Sequence, residues 1–283
     1  MKPSRSLNTL LAVKHVSIAP TQPLAEFIER FWYSSGAPPH QKVRIVPNGT
    51  MELVFNLDED ELGIYDTEQP GSYKSFSGAF FSGAYARPLF VDTRAHVMGV
   101  HFKPGGAFCF LGVPASELTD IHVNLDALWG RSSQALREQL CAAANPAKRF
   151  RVLEQALVAR LGNTLEEHRA VRAALDIFGR AAGKARTRDL AAHLGLSQRH
   201  FIKVFSRQVG VTPKLFGRVQ RFQRAADLTR SSSTPDWADV AAECGYFDQS
   251  HLIHDFQTFS VLSPTDFQRQ RNERLLTKPP IAE

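Results

Sequence analysis

The sequence predicts an α+β fold in two domains. The N-terminal domain is β-rich, a barrel or sandwich, and ends in a helical hairpin. The C-terminal domain is all-α and carries two helix-turn-helix units. Three observations predict this. Strand-like patterns with turn punctuation fill residues 1–125, and helical periodicities follow them. One stretch is written twice: Asp189-Leu190-Ala191-Ala192-His193-Leu194-Gly195 returns as Asp239-Val240-Ala241-Ala242-Glu243-Cys244-Gly245, a period of 50 residues. The charge is also unevenly placed. Of a formal net charge of +6, none lies in residues 1–170, which hold 17 basic and 17 acidic side chains, whereas residues 171–283 hold 17 basic against 11 acidic. A basic excess confined to one domain is the footprint of a polyanionic partner.

A chain of 283 residues is long enough for two domains, each able to bury a core. No run of 18 apolar residues occurs, so no membrane span is expected. The run Leu10-Leu11-Ala12-Val13 is too short for a signal peptide. Three scattered cysteines (Cys109, Cys141, Cys244) suit a reducing compartment rather than a disulfide framework. A cytoplasmic location is therefore expected.

In chain order, residues 24–33 read as a short helix or strand. Arg44-Ile45-Val46-Pro47 leads into Asn48-Gly49, and residues 51–57 alternate like a half-buried strand, so the Asn-Gly pair predicts a hairpin. Further strands are expected near residues 73–79, 89–92 and 95–102, and a short helix near 107–111 after Pro104-Gly105-Gly106. Residues 133–144 set Leu136 and Leu140 on one helical face. Residues 147–161 set Phe150, Leu153, Leu157 and Leu161 on one stripe, expected to pack on the β-rich domain, on a second subunit or on both. Gly162-Asn163-Thr164 ends that helix, which gives domains at 1–164 and 165–274 and a disordered tail at 275–283.

The C-terminal domain opens with a helix at 167–182. In the first unit Thr187 is expected to cap a short helix, Gly195 to turn the chain, and Ser197 to cap a second helix with Phe201, Val204 and Phe205 inward. Gly210 stops that helix and Thr212-Pro213 opens a connector running to about residue 230, a rod of roughly 25 Å. After a polar loop at 231–234, Pro235-Asp236 opens the second unit, with Gly245 as the turn, Asp248 as the cap, and Leu252, Phe256 and Phe259 inward. Past the turn the echo runs one residue out of step: Phe201 answers Leu252, and Phe205 answers Phe256. Two short helices joined by a glycine turn are a DNA-reading arrangement, with the second helix in the major groove.

Residues 171–274 resemble the DNA-binding domain of AraC-type transcription regulators. The carriers are Asp189-Leu190-Ala191-Ala192, Gly195-Leu196-Ser197, Phe205, Gly210-Val211-Thr212-Pro213, Gly245-Tyr246-Phe247-Asp248-Gln249-Ser250 and Ser263-Pro264-Thr265-Asp266-Phe267. Such regulators usually have glycine where Val261 stands. A β-branched residue suits a left-handed cap poorly, so the second unit is expected to end differently from the first. Residues 46–53, 99–106 and 114–118 resemble a sensory N-terminal domain found in some of these regulators.

With Phe201, Val204 and Phe205 inward, Gln198, Arg199, Ile202 and Lys203 face out near the N-terminus of the first reading helix. Arg199 is suited to guanine and Ile202 to a thymine methyl. The outward set on the second helix is Gln249, Ser250, His251, Ile253 and His254; with histidine next to Asp255 in place of a permanent cation, this helix is expected to bind less tightly. Arg207, Arg218, Arg221, Arg224 and Arg269 are the phosphate candidates. Tyr33, Glu52, Arg87 and His101 are the candidates to line an effector pocket. His251 and His254 lie three apart without a ligand pattern to complete a metal site, and no nucleophile-base pair or phosphate loop is found. No metal, cofactor or catalytic residue is therefore expected. The expected partners are double-stranded DNA, RNA polymerase, a small-molecule effector and a second copy of the chain, and no membrane. Two other readings stay open: a DNA-binding tail on a small-molecule-processing enzyme, for which Cys109 is the thiol available in the strand-rich part, and a constitutive DNA binder whose first half only assembles.

Overall fold

The computed structural model describes residues 14–37, 42–65, 73–94, 96–161, 167–181, 185–229 and 235–273. The expected helix end at 162–164, the loop at 231–234 and the tail at 275–283 lie outside them. Among the described residues, strands β1 (Lys14–Ile18), β2 (Ile28–Ser35), β4 (Glu52–Asn56), β7 (Ala79–Ser82), β9 (His96–Phe102) and β10 (His122–Asn124) form one antiparallel sheet in the order β1-β2-β9-β4-β7-β10. Strands β3 (Lys42–Ile45), β5 (Glu61–Tyr65), β6 (Tyr73–Ser77) and β8 (Leu89–Asp92) form a second, ordered β3-β8-β5-β6.

Alternation along the three central strands divides the apolar side chains between two cores. Phe31, Tyr33, Leu53, Phe55, Met98, Val100 and Phe102 face the main core. Trp32, Val54 and Val97 face the second sheet, where they meet Leu62, Ile64, Phe80 and Leu89. Gly99 sits where β9 passes closest to its neighbours: an added Cβ would stand 2.5 Å from the Leu53 carbonyl oxygen and 2.7 Å from the Trp32 ring.

The Asn48-Gly49 pair does not make a hairpin. β3 and β4 belong to different sheets, and the pair carries the chain from one to the other. Asn48 folds the turn locally, its Oδ1 accepting from the Thr50 amide at 3.0 Å and hydroxyl at 2.8 Å. Gly49 holds φ +78° with the Phe216 ring 2.9 Å from where a Cβ would lie. That close approach comes from a residue far along the chain, and a local dipeptide signal carries no information about it.

Helices α1 (Phe108–Leu111) and α2 (Leu125–Trp129) line the main core, followed by α3 (Arg131–Ala142) and α4 (Pro146–Arg160), whose first turn is capped by Asn145 accepting from Lys148 N. The α4 stripe packs on the β-rich domain: Phe150, Leu153 and Leu157 are buried, Phe150 lies 6.4 Å from Phe31, and Arg149 covers the Tyr33 ring.

The all-α part comprises α5 (Arg169–Arg180), α6 (Thr187–His193), α7 (Gln198–Val209), α8 (Pro213–Leu228), α9 (Trp237–Cys244), α10 (Gln249–Ser260) and α11 (Pro264–Glu273). Thr187 is the first residue of α6, not its cap: Arg186 holds that position and makes no side-chain cap bond. α8 serves both units. Phe216 joins Phe178 and Phe205 at 5.3 and 5.7 Å, while Phe222, six residues on, joins Phe256, Phe259 and Phe267 at 5.0, 5.4 and 5.8 Å.

α10 ends as α7 does. Gly210 closes α7 at φ +92°, its N–H donating to Ser206 O at 2.9 Å; Val261 closes α10 at φ +55°, donating to Gln257 O at 3.0 Å. The expectation of a different ending is overturned. The valine takes the left-handed conformation with its side chain half in solvent, so among the described residues no group stands against its Cβ branches strongly enough to bury them.

Candidate nucleic-acid interface

The two units are built by the same bonds. Gly195 N donates to Ala192 O at 3.1 Å and Leu196 N to Ala191 O at 2.9 Å; fifty residues on, Gly245 N donates to Ala242 O at 3.2 Å and Tyr246 N to Ala241 O at 2.9 Å. Each second helix starts from a side-chain cap: Ser197 accepts from His200 N at 3.2 Å and Asp248 from His251 N at 2.7 Å. The unpaired amides of each helix start then lie at its solvent-facing end.

The C-terminal end of α7 is docked on the β-rich half. It packs on the turn Ala115–Leu118, the Thr119 hydroxyl donates to Gly210 O, and Met51 lies against Gly210. The N-terminal end stays clear, with Gln198, Arg199 and Lys203 exposed and Ile202 half-buried. On α10, Gln249, Ser250 and His254 are exposed, and His251 is half-buried with its ring edge-on to Tyr246 at 5.3 Å. Asp255 does not face His254. It is fully buried and accepts two bonds from Arg218, at 3.1 Å from Nε and 2.6 Å from Nη2.

That pair removes Arg218 from the open surface, where it had been expected as a phosphate contact; its guanidinium also covers the Phe259 ring. Arg221 lies half-buried over the Tyr246 ring, Arg224 pairs with Glu243 at 3.2 Å, and Arg269 pairs with Asp266 at 2.8 Å. Arg207 is exposed in the last turn of α7.

The four effector candidates do not converge. Tyr33 belongs to the main core, its hydroxyl 2.5 Å from His96 Nδ1. Glu52 and His101 are cross-strand partners on the opposite face, 2.7 Å apart, with Glu29 3.5 Å from the same ring. Opposite parity on adjacent strands keeps these groups apart, which a one-dimensional pattern could not register before the pairing was known. Arg87 lies half-buried in the turn before β8.

A cleft of about 530 Å³ opens elsewhere, between the halves, lined by Glu26 and Lys103 on one side and Glu167, Arg172, Gln208 and Gln220 on the other. Sequence reasoning missed these residues, because they belong to separate elements and share no motif. It also missed Gln220 and Gln223, whose side-chain amides donate to Asn48 O at 3.1 Å and Pro47 O at 2.6 Å and seat α8 on the inter-sheet turn. Among the described residues no cluster of three or more metal-ligating side chains occurs, and no helix is long and apolar enough to cross a membrane.

Residues 190–270 match a family model described as a helix-turn-helix domain, and residues 16–124 match one described as a domain of unknown function. Among curated proteins, the chain is 31% identical over 81 residues to an uncharacterised HTH-type transcriptional regulator of Haemophilus influenzae, covering 29% of this chain and 27% of that protein. It is 32% identical over 92 residues to an HTH-type transcriptional regulator of Mycobacterium tuberculosis, covering 32% and 35%. The chain thus spans about a third or less of the length of these relatives. Among solved structures, ToxT from Vibrio cholerae aligns over 91% of this chain and 97% of its own at 9% identity, TM-score 0.46. The C-terminal domain of AraT, a response regulator from Geobacillus stearothermophilus, aligns over 38% and 89% at 20% identity, TM-score 0.35.

Proposed function

We propose that this chain, whose residues 190–270 match a helix-turn-helix family model, is a sequence-specific, DNA-binding transcription regulator of the AraC type that reads two adjacent major-groove segments with α7 and α10. One observation carries the reading: two units with matching turn bonds, each with a capped, solvent-facing second helix, share one connector that places Phe216 in the core of the first and Phe222 in the core of the second. Gln198, Arg199, Ile202 and Lys203 read bases on the first segment; Gln249, Ser250, His251 and His254 read the second. Arg207, Arg221, Arg224 and Arg269 serve the phosphates.

The N-terminal half biases this engagement, because it grips α7 at Gly210 and α8 at Gln220 and Gln223. A small-molecule effector seated in the cleft between Lys103 and Arg172 touches both halves and alters that grip. Control by a second copy of the chain and contact with RNA polymerase belong to the same reading. The enzyme-tail alternative gains nothing from Cys109, whose thiol is buried and pushed up to about 11 by that burial, away from the thiolate a nucleophile needs.

The test is binding of the full chain to duplex DNA across salt concentrations. About six to eight phosphate contacts give a log–log slope of roughly −5 to −7. A slope near zero overturns the reading. A thermal-shift screen of small molecules with the full chain separates an effector-responsive regulator from a constitutive binder.

A further inference from the structure

The two units differ by one residue, and the position of that residue can be assigned. The bonds before the turn repeat with a period of 50, ending at Leu196 and Tyr246. The bonds after it repeat with a period of 51: Phe201 N donates to Ser197 O at 2.9 Å and Leu252 N to Asp248 O at 3.3 Å. Leu196 therefore answers Tyr246 and Ser197 answers Asp248, which leaves Phe247 as the inserted residue. Tyr246 keeps the inward role, 6% exposed, while Phe247 is 94% exposed. Among the described residues the other exposed large apolar side chains lie between 37% and 52%. A ring held this far into water does nothing for the fold. It stands in the turn between Gly245 and the Asp248 cap, at the edge of the reading helix that first meets the duplex.

We infer that Phe247 reads a thymine methyl group in the major groove, and so adds an apolar contact to the base discrimination of the second unit, whose outward face is otherwise polar; this rests on the DNA-reading role proposed above. The chemistry fits. A phenyl ring has no hydrogen bond to offer a base edge, and the C5 methyl of thymine is the apolar group the major groove displays. Gln249, Ser250 and His254 beside it present polar groups for the neighbouring base pair. The exposed face of Phe247 is desolvated only when the complex forms, so its whole apolar area contributes to binding rather than to folding.

The experiment uses the full chain and a duplex selected by it from a random-sequence pool. Each thymine of that duplex is replaced in turn by deoxyuridine, which removes one methyl group and leaves pairing intact. Wild type is expected to lose about fivefold in affinity at one thymine in the half-site contacted by α10. Phe247→Ala is expected to melt at the wild-type temperature, to bind the parent duplex about five- to tenfold more weakly, and to show no further loss on the deoxyuridine duplex. If Phe247→Ala binds as wild type, or weakens binding while keeping the same sensitivity to deoxyuridine, the inference is overturned. Failure to select any duplex, with a flat salt dependence, instead removes the regulator reading itself. Arg199→Ala on the same selected duplex keeps the two apart, because it tests the first unit without touching Phe247.

Discussion

At the scale of single residues, Arg199 and Arg218 carry the same guanidinium to opposite ends. Arg199 projects from the first turn of α7 into solvent, while Arg218 turns inward from α8 to hold the carboxylate of the fully buried Asp255. Removing one partner from a buried pair strands the other charge away from water. Arg218→Ala is therefore expected to destabilise the chain by about 3 kcal/mol, read as a lowered midpoint in urea denaturation. Arg199→Ala is expected to leave that midpoint in place and to cost about 1–3 kcal/mol on the selected site, with relaxed preference at one base position. Equal weakening on every sequence would remove Arg199 from the base-reading set. The outward position of Arg199 was legible from the apolar spacing of Phe201, Val204 and Phe205. The fate of Arg218 was not, because Asp255 lies 37 residues away and faces it only after α8 and α10 have packed.

At the scale of elements, two features store a cost that substitution can release. Val261 holds the left-handed cap of α10, a conformation that costs an L-residue with a Cβ roughly 1–2 kcal/mol. Val261→Gly is expected to raise stability by about 1 kcal/mol, and a lowered melting temperature would show that the valine side chain pays its own way through packing. The second feature is His122 on the edge strand β10. Its ring lies among Phe76, Phe80 and Tyr85 at 5.2, 5.3 and 5.0 Å, and neither nitrogen has a partner among the described residues. Burial, with Lys74 adding, pushes its pKa down to about 3. A histidine depressed in the folded state binds fewer protons than in the unfolded chain. Its contribution is present above about 6.5 and is lost as pH falls towards 3. Acidification from pH 7 to 5 should thus cost wild type about 1–2 kcal/mol through this group. His122→Phe should flatten that part of the profile in thermal melts, and parallel profiles would show that the ring escapes to solvent. Neither cost was visible in the sequence as an energy. The valine was visible only as a departure from a motif, and the histidine as nothing at all, since β10 is a three-residue strand without alternation to read.

At the scale of the whole molecule, the halves do not hold separate cores. One buried cluster runs from Phe31, Phe55 and Phe102 through Val171, Phe178 and Phe205 to Phe216, so the first helix-turn-helix unit completes its packing on the β-rich half. The segment 168–274 made alone exposes that face of α5, α7 and α8. It is expected to bind duplex DNA with the same steep salt dependence as the full chain but to melt at a lower temperature, which calorimetry of both would test. Equal melting temperatures would show that the shared cluster stabilises neither half. The sequence by itself determined the tandem repeat, the outward faces of α7 and α10, the caps Ser197 and Asp248, the helix openings at Thr212-Pro213 and Pro235-Asp236, and the β-rich character of the first half. All of these rest on interactions within a few residues or on periodicity, which a one-dimensional string records. Only the tertiary structure decided that Asn48-Gly49 links two sheets and seats α8, that Arg218 belongs to Asp255, that Tyr33 and His101 face opposite ways, and that a cleft opens between the halves. Each of these depends on which distant surfaces meet, and burial energy is set by that meeting rather than by the order of residues along the chain.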